Sequence, residues 1–596
     1  MSDVPPSETE YLARLHELWR RAWPAGTPTG PTWPHGEIPL TEYLRIWARR
    51  QPDKPAVIYY GHTLTYAQLD EASDRMAALL AAHGVARGDR VAVFLPNSPQ
   101  FVIVFYGILK LGAVHVPVSP MSRAFELEYE LNDTGAVAIV AQDQLMPLVR
   151  EVRAAGQQTV RAVFVTSLAD VLPPELLEPP EPLEPAQQRR QPPQPQPQQQ
   201  RRQPLLPLHE SLRAARIPCD DGIDLLPALA ALPAPLPLPP AGLDDIAALN
   251  YTGGTTGMPK GCVHTQRDMV YTAAANHGIA LKLTPDSVLL SFFPQFWIAG
   301  ENAGLIMPFF GGATLVLLAR WDPPGVLAAI DRCKVTTMVL PVDGAVELMD
   351  HPRFGEFDLS SLKQVRVVSF VKKLNLEYRR RWFALTGTTL AESSWGMTET
   401  HTSDTFTTGF QQDDFDLHAQ PIFVGLPVPG TEFKICDFDT GELKPLGVEG
   451  EIRVRTPSLL KAYWNRPEAT AEALVDGWLR TGDIGVLDED GFLHYLGRRK
   501  EMLKVKGMSV FPPEIEAVLG QHPAVIGSGV IGRPDPARGE VPVAFVVLRP
   551  GATATADDLA AWCRSRLAAY KQPELRIVDQ LPMTATGKVK KQDLQP

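Results

Sequence analysis

Tyr251–Gly261 reads YTGGTTGMPKG, and the fold is decided by how this stretch is read. Four glycines, three threonines and one lysine fall within eleven positions, directly after the apolar run Ile246–Leu249. Such a loop can turn backbone N–H groups and hydroxyls toward phosphate oxygens while a lysine supplies positive charge. The bland alternative is a flexible surface linker, but a linker needs neither paired threonines nor a Pro-Lys pair behind the last turn. A Walker A loop is excluded, because that loop needs Gly-Lys-Ser/Thr opening a helix. Here Lys260 is followed by Gly261 and then by Cys262–His264, a strand-like run.

Working outward, strand and helix patterns alternate. Ala56–Tyr60 reads as a short strand, and Thr65 opens a helix with Gln68 completing a capping box. Gly84 marks the end of that helix. Val91–Leu95, Val114–Val118 and Ala136–Val140 read as strands separated by helices at Phe101–Leu111 and Phe125–Leu131. This βαβαβ rhythm predicts a mostly parallel sheet covered by helices. Beyond the glycine-threonine loop, strands are expected at Ser287–Phe292, Ala313–Leu318, Thr336–Leu340 and Val365–Ser369. Shorter strands follow at Glu432–Asp437, Gly450–Val454 and Gly491–Leu496. The tail from about Arg499 reads as a small α+β unit. It has a helix at Pro513–Leu519, strands near Ala524–Ile531 and Val541–Leu548, a helix at Ala556–Tyr570 and a last strand at Leu575–Val578.

From about Leu172 to Pro240 the alternation fails. Gln187–Pro204 is Pro/Gln/Arg repetition that cannot bury a core, and it reads as a surface insertion or else a basic docking tail. Leu225–Pro240 is apolar but broken by prolines, as suits a segment lying along the main domain.

At 596 residues and 44% hydrophobic content the chain has room for more than one domain. A net charge of −11 argues against a nucleic-acid partner. Cys219, Cys262, Cys333, Cys436 and Cys563 are scattered without metal-like spacing, which fits a reducing, cytoplasmic setting. The opening residues lack a signal-peptide core, and no window of about 18 uncharged apolar residues predicts a membrane span. Peripheral membrane contact and a dimeric state both remain compatible with the sequence, which fixes neither.

Four more stretches give the loop its context. They are Trp395-Gly-Met-Thr-Glu399, Trp478-Leu-Arg-Thr-Gly-Asp483, Gly497-Arg-Arg-Lys-Glu-Met-Leu-Lys504 and Pro582-Met-Thr-Ala-Thr-Gly-Lys588. Alone, each has an ordinary reading: a turn, or a solvated basic patch. Together, in this order, they resemble the adenylate-forming acyl-CoA synthetase family, from about Thr41 to Leu594 outside the insertion.

The resemblance implies an α/β fold. It has a large N-terminal domain of mainly parallel sheets covered by helices, a β-rich subdomain, and a small mobile α+β C-terminal domain. The expected units are residues 1–36 (an extension), 37–497 (with the insertion at about 174–208) and 498–596. It also implies an AMP-forming carboxylate–CoA ligase that uses ATP, coenzyme A and Mg²⁺. Thr252, Gly253, Gly254, Thr255, Thr256, Gly257 and Lys260 would hold the β- and γ-phosphates. Trp395 would take the place of the aromatic residue that stacks on adenine. Thr398 would contact the α-phosphate and Glu399 would bind Mg²⁺. Asp483 would accept the ribose hydroxyls, with Arg498 as a second ribose or phosphate contact. Lys588 would bridge the carboxylate and the α-phosphate. Lys500 matches the hinge position, and Lys504 to Gly507 the segment swung in for thioester formation. Because the Lys588 ammonium would be needed, its acylation is expected to switch off the first step.

Phe296, Trp297, Gly300, Phe370 and Gly396 are expected around the acyl group. Two of these depart from the family pattern: Trp297 stands where relatives carry histidine, and Phe370, within Val368–Lys373, where they carry a small glycine-rich turn. Thr265-Gln266-Arg267 departs from a common Thr-His-Arg run. Glu301 and Asn302 read either as polar markers of the pocket or as structural hydrogen-bonding groups. Phe292, Phe293, Phe296, Trp297 and Ile298 favour a medium- or long-chain fatty acid, with an aryl or alicyclic acid as the alternative. Other readings are an acyl-AMP ligase loading a carrier protein, a luciferase-like oxygenase, and a nucleotide-binding regulator without catalysis.

Overall fold

The computed structural model describes residues 7–596 apart from 158, 174–205, 234–237, 239, 253–257, 394, 420–421, 507 and 585–586. The Pro/Gln/Arg segment Gln187–Pro204, the loop residues Gly253, Gly254, Thr255, Thr256 and Gly257, and Gly507 therefore lie outside the described residues.

The βαβαβ rhythm produces a seven-stranded sheet. Its order is Ile223–Asp224, Ala162–Thr166, Ala138–Gln142, Arg90–Phe94, Val114–Pro117, Ile246–Tyr251 and Gly261–Thr265. All neighbours are parallel except the last pair, which is the hairpin carrying the glycine-threonine loop. A second seven-stranded sheet runs Leu390–Glu392, Gln364–Val368, Thr337–Pro341, Val288–Ser291, Thr314–Leu317, Pro55–Tyr59 and His62–Thr65. It too is parallel up to its final hairpin. Residues of both sheets share one apolar core.

Between them lies Pro99–Leu111, in which every residue but Leu111 is buried, as a helix apolar on all sides must be. Ser98 caps its start and left-handed Gly112 its end. Gly107 lets it close on the helix Tyr66–Ala82, since a Cβ there would stand 2.5 Å from Met76. That second helix opens on the Thr65–Gln68 capping box.

A third, antiparallel sheet forms the β-rich subdomain. It joins Thr405–Phe406, Ile422–Pro427, Leu493–Arg498, Trp478–Leu487, Gly450–Arg455 and Glu432–Cys436. The N-terminal segment, read from sequence as an extension, is a helix over Glu8–Ala22 whose Tyr11, Leu12, Leu15 and Trp19 are buried in this subdomain's core. Trp19 Nε1 donates to Gly491 O at 2.8 Å, and Trp478 Nε1 donates to Glu8 at 3.0 Å.

The C-terminal unit has its own core and a five-stranded sheet built on the hairpin Val525–Asp535 and Gly539–Leu548. Its helix from Ala556 ends at Arg564, short of the expected Tyr570. The Ser565 hydroxyl competes for Trp562 O, and Arg566 N turns to Cys563 O, tightening the last turn into a stop.

Candidate active site

The glycine-threonine loop is closed at its base. Thr252 N donates to Lys260 O at 3.0 Å, and Lys260 N to Thr252 Oγ1 at 3.4 Å. Residues 461–464 run beside Gly261–Thr265, exchanging backbone bonds through Val263, Ala462, Gly261 and Trp464. This brings Tyr463 beside Cys262 and Lys260. Lys260 Nζ stands 4.8 Å from the Tyr463 ring centroid, and the Tyr463 hydroxyl donates to Glu399 Oε1 at 2.9 Å. One buried tyrosine thus separates the loop's cation from the carboxylate. Sequence reading missed Tyr463, whose importance arises only when the chain segment after Leu460 folds back onto the hairpin.

Thr398–Thr400 is a 3₁₀ turn held from three sides. His264 Nε2–H donates to Thr398 O at 2.8 Å, Leu460 N to Glu399 O at 2.8 Å, and Ser458 Oγ to Thr400 O at 2.8 Å. Beneath it Glu301 is fully buried. Burial pushes its carboxyl up, but His401, His115 and Asn250 outweigh that and hold it below the usual range. Asn250 Nδ2 donates to Glu301 at 2.8 Å, and His401 Nε2 lies 3.5 Å away. Asn302 donates to Ile298 O and to His401 O. Of the two readings for Glu301 and Asn302, structural hydrogen bonding is the one observed.

Asp483 and Arg498 are cross-strand neighbours on Trp478–Leu487 and Leu493–Arg498. Arg498 Nε lies 3.1 Å from Asp483 Oδ1, and Trp395 Nε1 donates to Asp483 Oδ2 at 3.0 Å. Burial pushes the Asp483 carboxyl up to about 6, although Arg498 pulls the other way. The indole of Trp395 thus anchors the carboxylate from one side while Phe433 packs edge-on against it.

Lys588 arrives from the C-terminal unit on a tight turn. Thr584 N donates to Lys588 O at 2.7 Å, Lys588 N donates to Thr584 Oγ1 at 3.0 Å, and Gly587 takes φ +80°. Its Nζ lies 5.5 Å from the Phe370 ring centroid and 5.9 Å from that of Trp297. The two rings are 5.9 Å apart. The side chain keeps solvent contact in the cleft, yet surrounding protein mass and, after it, Arg498 lower the ammonium's pKa, against Asp483 and Glu501. The two family departures therefore meet each other at Lys588.

Val368–Lys373 is where the C-terminal unit docks. Ser369 binds Glu392 through N (2.9 Å) and Oγ (2.6 Å), and Glu392 is pushed up to about 7 by burial. Val371 enters a notch at Gly527, where an added Cβ would stand 2.3 Å from Val371 Cγ1. Gly300 is likewise a packing glycine, since a Cβ would meet Pro294 O at 1.9 Å. Phe296 packs on the main core, and exposed Gly396 pairs with Ser403. Lys500 lies on the 3₁₀ turn after Arg498, and burial and then Arg498 lower its pKa. Lys504 is an exposed side chain on the hairpin Leu503–Val510 with Nζ 3.0 Å from Ser509 Oγ, and is not gathered with the groups above.

A family model described as AMP-binding enzyme matches residues 44–464, and one described as AMP-binding enzyme C-terminal domain matches 514–588. A long-chain-fatty-acid–CoA ligase of Bacillus subtilis is 34% identical over 567 residues, 93% of this chain and 94% of that protein. One from Salmonella typhimurium is 32% identical over 588 residues, 98% of each chain. Among solved structures, the anthranilate CoA ligase AuaEII in complex with anthranoyl-AMP matches with TM-score 0.77 and 26% identity, covering 93% of this chain and 96% of that one.

Proposed function

The chain belongs to the AMP-binding enzyme family, and on that premise we propose that it is an AMP-forming carboxylate–CoA ligase acting on a medium- or long-chain fatty acid. The carboxylate attacks the α-phosphate of ATP, giving acyl-AMP and pyrophosphate. The thiol of coenzyme A then attacks the acyl carbon, AMP leaves, and a thioester results. The observation that carries this reading is the convergence on one cleft of Lys588 from the C-terminal unit with Asp483, Arg498 and Trp395.

The first step drives an anion onto a polyanion, so the cleft must neutralise charge with preorganised donors. Lys588 is suited to bridge the acid and the α-phosphate. Lys260, with Thr252 and the loop residues between them, is suited to the β- and γ-phosphates, and Thr398 to the α-phosphate. The two oxygens of Asp483 suit the two ribose hydroxyls. Glu399 fits Mg²⁺, which commonly takes one or two protein carboxylates and completes its shell with water and phosphate oxygens. When bound, the ion would neutralise charge on the phosphate oxygens. Lys500 as a hinge and Lys504 in thioester formation complete the proposal. No described helix is long and apolar enough to cross a membrane, and the free cysteines suit a cytoplasmic setting.

The fatty acid is supported by what the two bacterial relatives are named for and by the apolar run Phe292–Ile298. The likeness to an anthranilate ligase supports an aryl acid as the second reading. A panel of decanoate, palmitate, benzoate and anthranilate, scored by pyrophosphate release with and without coenzyme A, separates them. Turnover of palmitate or decanoate with coenzyme A supports the first, and turnover of anthranilate or benzoate alone replaces it with the second. Pyrophosphate release with no thioester formed on coenzyme A sinks the ligase assignment in favour of carrier-protein loading.

A further inference from the structure

Lys588 Nζ has no carboxylate or carbonyl within hydrogen-bond distance among the described residues, and what faces it is two rings. Both rings are fixed from behind. Trp297 N donates to Pro294 O at 3.0 Å, Glu301 N to Trp297 O at 2.8 Å, and Phe293 packs edge-on at 5.9 Å. Phe370 follows Ser369, which is pinned to Glu392. Both rings belong to the large domain while the cation comes from the C-terminal unit, so the contact exists only when the two are closed on each other. We propose that Trp297 and Phe370 are positioning residues, a two-ring cradle that aims the Lys588 ammonium in the closed arrangement through cation–π contact.

The chemistry favours rings over a carboxylate here. A long lysine stem has many rotamers, and something must select the one that reaches the reacting atoms. An ion pair with Asp483 would select a rotamer but neutralise the cation and occupy the ribose acceptor. A ring face attracts the cation through its quadrupole and leaves all three N–H donors free for oxygens of the acid and the phosphate. The other ionisable groups acting on Lys588 are Arg498 and Lys373, which repel it, and Asp483 and Glu501, which attract it without hydrogen-bond contact.

The proposal rests on the ligase reading, and its test separates the two half-reactions. Trp297→Leu/Phe370→Leu removes both ring faces and keeps apolar bulk at two partly exposed positions. It is expected to slow acid-dependent ATP–pyrophosphate exchange about tenfold or more at unchanged KM for ATP. Thioester formation from synthetic acyl-AMP should fall by much less than exchange does, while Trp297→Phe/Phe370→Tyr restores most of the exchange. Equal loss in both half-reactions would mean a damaged acyl pocket and overturn the proposal. So would equal loss in the ring-retaining variant. A cycle independent of turnover uses Lys588→Met, which keeps the stem and removes the charge. It should lower the melting temperature by about 1–2 °C in the native background and not in the double-leucine background. Additive shifts would overturn the cradle even for an enzyme with another substrate. Absence of exchange with every acid, with the shifts still non-additive, would overturn the ligase reading and leave the cradle standing.

Discussion

Lys588 is a flexible cation delivered by a turn that a backbone bond between Thr584 and Lys588, the Thr584 hydroxyl and Gly587 at φ +80° hold in place. Its removal deletes the charge that meets the developing negative charge of the first step. Lys588→Ala should therefore lower adenylation by about 10³-fold or more, the scale of losing one preorganised electrostatic group. Thioester formation from preformed acyl-AMP should largely survive, and equal loss of both steps in rapid-quench assays would refute this assignment. Asp483 gives a pH prediction with a definite sign. Its pKa is raised to about 6 by burial, so the acceptor form needed for ribose is lost as pH falls through about 6. Ribose binding, read as Kd for adenosine by calorimetry so that no ligand phosphate titrates in the window, should be level above pH 7 and decline about tenfold per pH unit well below 6. Asp483→Asn should be weak throughout and pH-independent in that window. Affinity unchanged down to pH 5 in the native protein would remove Asp483 from the ribose site. At this scale the runs proposed for the nucleotide stand out in the sequence because phosphate and ribose chemistry prescribes residue types in local runs. Tyr463 does not, because an aromatic side chain between Lys260 and Glu399 leaves no local pattern. Trp297 and Phe370 were legible as departures, but nothing local to either tells that both face Lys588.

Elements were readable where one force dominated. The alternation of apolar runs gave the parallel strands, and Thr65–Gln68 gave a helix start that the side-chain bonds reproduce. Ends set by competing hydrogen bonds were not readable, as Ser565 in the helix from Ala556 illustrates. Nor was the use of Val368–Lys373 as a docking edge, since its crowding makes sense only with Gly527 opposite. That notch makes a prediction about an element rather than a reacting group. Gly527 lies in the strand Val525–Asp535 and not in the left-handed region, so a side chain is allowed by its backbone and opposed only by Val371. Gly527→Val should hold the C-terminal unit off Val371 and lower pyrophosphate exchange about tenfold or more, the cost of small misplacement at a reacting centre. Thioester formation from acyl-AMP should persist, and Val371→Gly in the same chain should restore exchange. No loss in the single variant, or no recovery in the double, would show that closure does not pass through this contact.

At the scale of the whole molecule, two parallel sheets share one core, the antiparallel subdomain has another, and the C-terminal unit a third. The cleft forms where the three meet, so its geometry depends on how firmly the subdomain is held. The helix Glu8–Ala22 contributes to that hold from the far end of the chain. It buries Tyr11, Leu12, Leu15 and Trp19 against the subdomain, and Glu8 bonds both Trp478 and Lys434. Trp478 begins the strand that carries Asp483, so the helix supports the ribose site without touching it. Trp19→Ala removes a large buried side chain and the bond to Gly491 O, and such truncations cost about 3–5 kcal/mol. The expected result is an earlier thermal transition for the subdomain in calorimetry, and a KM for ATP that rises with temperature sooner than in the native protein. At low temperature, kcat should be preserved, because no reacting group has moved. If Trp19→Ala left the calorimetric trace unchanged, the helix would be an appendage and the subdomain would hold Asp483 unaided. If kcat fell at low temperature with the trace unchanged, Trp19 would act on the cleft by some route other than the stability of the sheet beneath it.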